Sequence, residues 1–187
     1  MRCRGLLIAT PLLLIACTGD PVPRPKGWLR LDLPQQTYRP WIAGCPFRAE
    51  IPDYALAVPR PKPDSSCWID LRFPGQRAEV HLTFVTVHGD LGRLIRDAHD
   101  LKSTHEPKAT RIAKEHVLRD SARVFGTLFD LEGDVASPMV FYLTDSTDHF
   151  LYGALYFNAR PNADSLAPVI ERLRKDMRHF VGTLAWE

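Results

Sequence analysis

The fold of this chain follows from a stretch near its C-terminal end that reads Met139-Val140-Phe141-Tyr142-Leu143-Thr144-Asp145-Ser146-Thr147-Asp148-His149-Phe150-Leu151-Tyr152-Gly153-Ala154-Leu155-Tyr156-Phe157. Two runs rich in apolar and aromatic residues, 139–143 and 150–157, flank a polar segment. Runs of this length bounded by Asp and Ser are typical of strands joined by a turn. The stretch therefore predicts a strand hairpin with its turn at 145–148.

Segments on the N-terminal side of this hairpin show strand patterns as well, chiefly alternation of apolar and polar residues. They are 29–33, 47–51, 54–58, 67–73, 79–84 and 124–131. Residues 109–118 fit a strand or a helix, and the strand is favoured. Turns are predicted at Pro74-Gly75 and Gly133-Asp134, and 59–66, with three prolines, is predicted to be a loop. Gly126 and Gly153 lie within predicted strands, where glycine marks a bulge or close packing.

Two helices are predicted because the apolar spacing changes to three and four residues. The first runs from an Asp90 N-cap to a stop before Pro107. The second is long and closes the chain, with Asp164 or Ser165 as its N-cap and Pro168 near its first turn. Its basic residues, which we expect to form a solvated face rather than a lipid-binding one, are Arg172, Arg174, Lys175 and Arg178.

This order of elements predicts an α+β fold, in which an antiparallel β-sheet is covered by helices and the chain ends in a long C-terminal helix. The arrangement loosely resembles the Mog1/PsbP-like sandwich, and the likeness concerns the fold alone.

The N-terminal segment carries the features of a bacterial lipoprotein signal. Arg2 and Arg4 precede an apolar run that is too short to span a bilayer. The run ends in Leu14-Ile15-Ala16-Cys17, the order of a lipobox, in which Cys17 receives lipid such as palmitate. An ordinary signal peptide with a chance cysteine is the alternative. We expect a signal peptide at 1–16, the lipidated Cys17 with a Pro-rich tether at 17–26, and one globular domain at 27–187.

Composition excludes some classes of protein. Hydrophobic residues make up 45% of the chain and charged residues 25%, as in a globular protein. The chain has 24 Lys and Arg against 22 Asp and Glu, and loss of Arg2 and Arg4 with the signal leaves 22 against 22. A nucleic-acid binder normally has a basic excess, so we expect no nucleic-acid partner.

If the lipobox is processed, only two cysteines are left to form a disulfide, because Cys3 is removed with the signal peptide and Cys17 carries lipid. Cys45 and Cys67 remain, and an oxidising envelope compartment favours a disulfide between them. Two free, buried thiols are the alternative.

No motif identifies a catalytic, cofactor or metal site. The seven histidines form no pair at ligand spacing. The turn at 144–149 places Ser146 and His149 near Asp145, but residues so close on one turn rarely form a catalytic relay. A turn that hydrogen-bonds its own backbone is the favoured interpretation. Asp130, Glu132 and Asp134 lack the pattern of a calcium loop and are interpreted as a polar strand face.

Several segments resemble one family, that of the gliding motility lipoprotein GldD. The longest block covers 141–158 together with 161–169, and shorter ones are Cys45-Pro46-Phe47, Glu50-Ile51-Pro52-Asp53-Tyr54 and Cys67-Trp68-Ile69. The resemblance spans essentially the whole mature chain. The matching cysteines of the family support the Cys45–Cys67 disulfide.

The resemblance implies a lipid-anchored accessory of the gliding motility and type IX protein secretion machinery that acts through protein–protein contacts. It implies no enzymatic activity, no cofactor and no small-molecule substrate. The candidate interaction surface comprises Asp145, Ser146, Thr147, His149 and Asn158. In gliding-type bacteria an acidic cluster after the lipidated cysteine is associated with export to the cell surface. Here Asp20 is the single acidic residue in the tether, so we expect a periplasm-facing domain. The alternative is an envelope enzyme or small-ligand binder that uses the 144–149 turn.

Overall fold

The computed structural model describes residues 33–60 and 67–187. The predicted signal peptide, Cys17, the tether, residues 29–32 of the first predicted strand and residues 61–66 of the predicted loop lie outside this part. The strands are β1 (Tyr38–Cys45), β2 (Phe47–Pro52), β3 (Leu56–Arg60), β4 (Cys67–Phe73), β5 (Ala78–Thr86), β6 (Ala109–Arg119), β7 (Val124–Gly133), β8 (Met139–Thr144), β9 (His149–Phe157) and β10 (Ala185–Trp186). The helices are α1 (Leu91–Ser103) and α2 (Ala163–Thr183).

The described strands form two antiparallel sheets, which confirms the predicted α+β class. The large sheet has the order β3-β4-β5-β9-β8-β7-β6, and the small sheet has the order β1-β2-β10. The predicted hairpin at 139–157, β8 with β9, lies in the middle of the large sheet. The prediction of a loop from residue 59 is wrong at its start, because Pro59 and Arg60 belong to β3. This strand is at a sheet edge, where a proline costs no ladder hydrogen bond.

The inner face of the large sheet forms the main core. The small sheet and α2 pack against this face, and α2 lies beside β2. Phe47 of β2, Phe141 of β8 and Phe180 of α2 are each almost completely buried there. The layers are therefore held together by apolar burial, at about 25 cal/mol per Å² of apolar surface.

The outer face of the large sheet is partly covered by α1. Leu94 and Ala98, one helical turn apart, pack with Phe150 of β9 and against the partly buried Tyr142 and Tyr152. Helix α1 is confirmed, but Asp90 caps it differently from the prediction. Its carboxylate accepts a hydrogen bond from the backbone N–H of His88 at 3.0 Å and binds Arg93, rather than a first-turn amide.

The N-cap of α2 is Asn162, so the predictions of Asp164 or Ser165 are wrong. The Asn162 side chain accepts a hydrogen bond from the backbone N–H of Ser165 at 3.1 Å, which satisfies a free first-turn amide. Because the helix begins at Ala163, Pro168 lies in the second turn rather than the first.

The predicted solvated basic face of α2 is also largely wrong. Arg174 and Arg178 both form ion pairs with Asp130 of β7, and the Arg174 side chain is 12% exposed. Arg172 donates a hydrogen bond to the backbone carbonyl of Pro34 at 2.7 Å. Lys175 remains mostly exposed. The helix uses its arginines to attach both the N-terminal segment and β7, because their long side chains reach past the helix flank.

A disulfide joins Cys45 to Cys67, as predicted, with their Cα atoms 5.9 Å apart. It links the end of β1 in the small sheet to the start of β4 in the large sheet. Neither helix in residues 33–60 and 67–187 is long and apolar enough to cross a membrane.

Candidate functional site

An apolar groove of about 320 Å³ runs along α1 on the outer face of the large sheet. The sheet contributes Trp68, Thr83, Val85, Phe150 and Tyr152, and the helix contributes Leu94, Asp97, Ala98 and Leu101. Its volume lies at the lower end of the range for ligand pockets. Leu101 at the rim of the groove is 50% exposed.

Strand register builds the floor of this groove. Thr83 of β5 pairs with Trp68 of β4 on one side and with Tyr152 of β9 on the other. Residues directly opposite in an antiparallel sheet project from the same face, so the three side chains form one row. Helix α1 packs against β8 and β9, so it covers the Tyr152 end of this row, while Trp68 and Thr83 lie on strands beyond the helix.

A charged cluster lies next to the groove, two register pairs along the same strands and therefore on the same face. Asp70 of β4 pairs with His81 of β5 and is 2% exposed. Its carboxylate accepts hydrogen bonds from Arg60 Nε at 2.7 Å and His81 Nδ1 at 2.6 Å, and Arg72 Nη2 lies 3.4 Å away. Burial alone would raise the pKa of the Asp70 carboxyl, but the hydrogen bonds from Arg60 and His81 outweigh it and lower that pKa.

Asp70, Glu79 and His81 offer metal-ligand atoms that lie within 4.8 Å of one another. The two carboxylates face opposite nitrogens of the same ring, since Asp70 contacts Nδ1 at 2.6 Å and Glu79 lies 3.4 Å from Nε2. They therefore do not converge with one ring nitrogen on a common point, as metal ligands do. Arg60 also supplies positive charge at Asp70, so the arrangement fits a charge network better than a metal centre.

The 144–149 turn is organised by Asp145, which is 5% exposed. Its Oδ1 accepts hydrogen bonds from the backbone N–H groups of Thr147, Asp148 and His149 at 2.9–3.0 Å. Its Oδ2 accepts from Thr147 Oγ1 at 3.1 Å and His149 Nδ1 at 2.8 Å. Burial would raise the pKa of this carboxyl, but the backbone and histidine donors lower it well below its ordinary range.

The His149 ring is fixed from both sides. It stacks on Trp186 of β10, with ring centroids 5.2 Å apart and the planes 7° from parallel, and it touches Phe84 of β5. Trp186 in turn donates a hydrogen bond to the Arg123 carbonyl at 3.0 Å. The stacked His149 ring therefore anchors the C-terminal strand β10. The three backbone N–H groups bound by Asp145 match the predicted turn that hydrogen-bonds its own backbone.

The candidate interaction surface predicted from the sequence is not one surface. Asp145 is buried, and His149 has a side chain only 19% exposed. Ser146 and Thr147 are exposed at the turn. Asn158 is exposed too, but it follows the opposite end of β9, roughly 30 Å along the strand. The turn and Asn158 are close in sequence, but the whole length of β9 lies between them, so they are far apart in space.

The acidic residues 130, 132 and 134 each have separate structural partners, which matches their interpretation as a polar strand face. Asp130 binds Arg174 and Arg178, Glu132 lies 3.3 Å from Arg111, and Asp134 accepts a hydrogen bond from the backbone N–H of Ala163 at 2.9 Å.

Sequence reasoning missed a buried carboxylate on α2. Asp176 is fully buried and accepts hydrogen bonds from Tyr38 Oη at 2.8 Å and Gln36 Nε2 at 3.1 Å, and also from Tyr54 Oη. Burial and the bond to Asp176 raise the pKa of Tyr38 to about 12. The burial of Asp176 could have been inferred from its spacing. It lies three residues after Leu173 and four before Phe180, which places it on the buried face of the helix.

Comparison with known proteins gives one finding on the family. The family model described as gliding motility lipoprotein GldD matches residues 18–186, nearly the whole chain. No curated protein matches the chain.

Proposed function

The chain belongs to the gliding motility lipoprotein GldD family, and from this membership we propose that it is a non-enzymatic accessory of the gliding motility and type IX secretion machinery. It acts by contacts with other proteins of that machinery. The family match over residues 18–186 is the observation that carries the proposal. The bonds of Asp145 and His149 support a structural rather than catalytic use of the 144–149 turn, since both side chains hold the fold.

Membership of a lipoprotein family associates the protein with the cell envelope through lipid. In our proposal the lipid is on Cys17, the tether holds the domain away from the bilayer, and the domain faces the periplasm. The Cys45–Cys67 disulfide supports an oxidising compartment, where such bonds persist.

We assign partner contact to the groove beside α1. The lining of the groove is mainly apolar, and its polar side-chain groups belong to Trp68, Thr83, Asp97 and Tyr152. A polar small molecule would find few partners, whereas the apolar side chains of a protein segment would bury surface against Trp68 and Leu101. The occupant is therefore an apolar segment of another protein of the machinery.

Crosslinking of the full chain in native envelopes, followed by mass spectrometry of the captured proteins, tests the proposal. We expect gliding motility or type IX secretion proteins among them, and their loss in Leu101→Glu. Ile42→Glu is the matched control, because Ile42 is 71% exposed on the small sheet, away from the groove. Capture of no such protein by the unmodified chain contradicts the accessory role. Equal capture by Leu101→Glu contradicts the groove as the docking surface.

A further inference from the structure

The described chain has four sheet edges, and they differ in how well they are protected. Edge strands expose unpaired N–H and C=O groups that pair readily with another strand, and proteins blunt them with prolines or short lengths. The edge strand β1 contains Pro40, β3 is five residues long and contains Pro59, and β10 is two residues long.

The fourth edge, β6, has neither a proline nor a short length; its protection is limited to charged side chains, among them Lys114, and a register irregularity at its start. It is eleven residues long, contains no proline, and packs chiefly against β7. Its register irregularity lies at its start, between Ala109 and Arg111, so the ladder from Arg111 to Arg119 is continuous. β6 therefore presents about 30 Å of regular strand that another strand can extend.

The charges on the inner face of β6 are already matched within the chain. Arg111 lies 3.3 Å from Glu132, and Glu115 lies 3.0 Å from Arg178. Arg119 donates to the backbone carbonyls of Val181 and Leu184 at the end of α2. An added strand would not need to supply counter-charges on this face.

The outer face of β6 carries two exposed apolar side chains, Ile112 at 38% and Leu118 at 75%. They lie three positions on either side of Glu115. If a second β6 pairs antiparallel about a two-fold axis at Glu115, Ile112 of each copy lies directly opposite Leu118 of the other. Directly opposite apolar pairs are the unit that stabilises a sheet.

Neighbouring registers lack this complementarity. A two-fold axis at Lys114 would place the two Lys114 ammonium groups opposite each other, and no ion pair among the described residues offsets that charge. An axis at Glu115 also places like charges opposite each other, Glu115 with Glu115 and Arg111 with Arg119, but each of these side chains is bound within its own chain. An axis at His116 would place Lys114 opposite Leu118. With the axis at Glu115, Lys114 instead lies opposite His116, and Ala113 opposite Val117.

We propose that β6 is a self-association edge, at which two copies of this chain join their large sheets by antiparallel β6–β6 pairing centred on Glu115. A strand pair of this length makes a modest interface. Chains held in one membrane have a high effective concentration, which favours such an interface. This last point rests on the proposed lipid anchor, while the strand pattern does not.

Disulfide trapping of the full chain in native envelopes tests the register. We expect Glu115→Cys to give a homodimer on mild oxidation, reversed by reductant, because position 115 faces itself across the axis. Arg111→Cys should remain monomeric, since eight strand positions, roughly 27 Å, separate the two copies of residue 111 along the strand. Chains with Ile112→Cys and chains with Leu118→Cys should form mixed dimers when present together.

Adding Leu118→Lys to Glu115→Cys should abolish the dimer. Leu118 is too exposed for this change to unfold the domain, and an unchanged melting temperature checks that. Equal trapping of Arg111→Cys and Glu115→Cys, a monomer only, or a dimer that survives Leu118→Lys overturns the proposal. The readout is a homodimer, so its failure is distinct from a failure to capture other envelope proteins.

Discussion

Asp176 and Asp145 are buried carboxylates, and each fixes one end of the described chain. Asp176 accepts hydrogen bonds from Gln36 and Tyr38, which immediately precede or begin β1. Arg172, one turn earlier on α2, donates to the Pro34 carbonyl. These bonds attach residues 34–38 to the long helix.

The role of Asp176 could not be predicted from residue type alone. A charged residue inside an amphipathic helix is usually assigned to the solvated face, and the sequence analysis assigns no role to Asp176. Its three partners come from residues more than 120 positions earlier in the chain. The Asp145 interactions are local, so the turn chemistry of Asp, Ser and Thr was sufficient to predict them.

The pKa of Asp145 predicts how stability depends on pH. Its pKa is lowered in the folded protein, so the ionised form stabilises the fold above the unfolded value of about 3.9. That stabilisation is lost as pH falls below this value toward the folded pKa. We expect Asp145→Asn to cost about 1–3 kcal/mol near neutral pH and to flatten the acid side of the stability profile. Urea unfolding between pH 3 and pH 7 measures both effects.

Asp148→Asn is the matched control for this prediction. Asp148 is exposed on the same turn and contributes its backbone N–H, not its side chain, to the Asp145 network. Its replacement should change the free energy of unfolding by less than about 0.5 kcal/mol. A profile for Asp145→Asn as steep in acid as that of the parent chain would contradict the assignment.

Strands and helices were mostly predictable, because burial of one face imposes a period of two or 3.6 residues. Helix α1 and strands β2, β4–β9 were all predicted, with ends shifted by a few residues. Strand β1 was missed, since its exposed edge position and Pro40 obscure the alternation. The cap of α2 was misassigned because Asn162, Asp164 and Ser165 are all capping residues in sequence.

Replacing glycine by alanine should change the free energy of unfolding in opposite directions at two positions, one in β9 and one in α2. A Cβ at Gly153 of β9 would lie 2.1 Å from Cζ of the buried Phe141 ring, so Gly153→Ala should destabilise by about 3 kcal/mol. A Cβ at Gly182 of α2 meets nothing within 4 Å, and Gly182→Ala should stabilise by about 0.5–1 kcal/mol. Chemical denaturation of both variants measures the two changes. A tolerated Gly153→Ala would mean that Phe141 does not pack over this strand.

Assembly of the whole molecule was the least predictable level. The small sheet pairs β2 with β10, whose residues lie more than 130 positions apart in sequence. Local periodicity carries no information on such pairing, and it does not identify which face of the large sheet α1 covers. The groove follows from that placement, and the Asp70 cluster follows from the register of β4 and β5 and the reach of Arg60 from β3. Neither could be derived from the sequence, whereas the buried core positions could.

The Cys45–Cys67 disulfide makes a prediction at this scale, because it links the small sheet to the large one. It closes a loop with a sequence separation of 22, which restricts the unfolded chain by about 3 kcal/mol. Reduction of the mature protein should therefore lower the free energy of unfolding by about that amount, measured by denaturation with and without reductant. The double variant Cys45→Ala with Cys67→Ala should match the reduced protein and no longer respond to reductant. Cys45 is 5% exposed, so a fall in the free energy of unfolding well above this amount would indicate that the bond also holds the two sheets in register. No fall in the free energy of unfolding would contradict the cross-link.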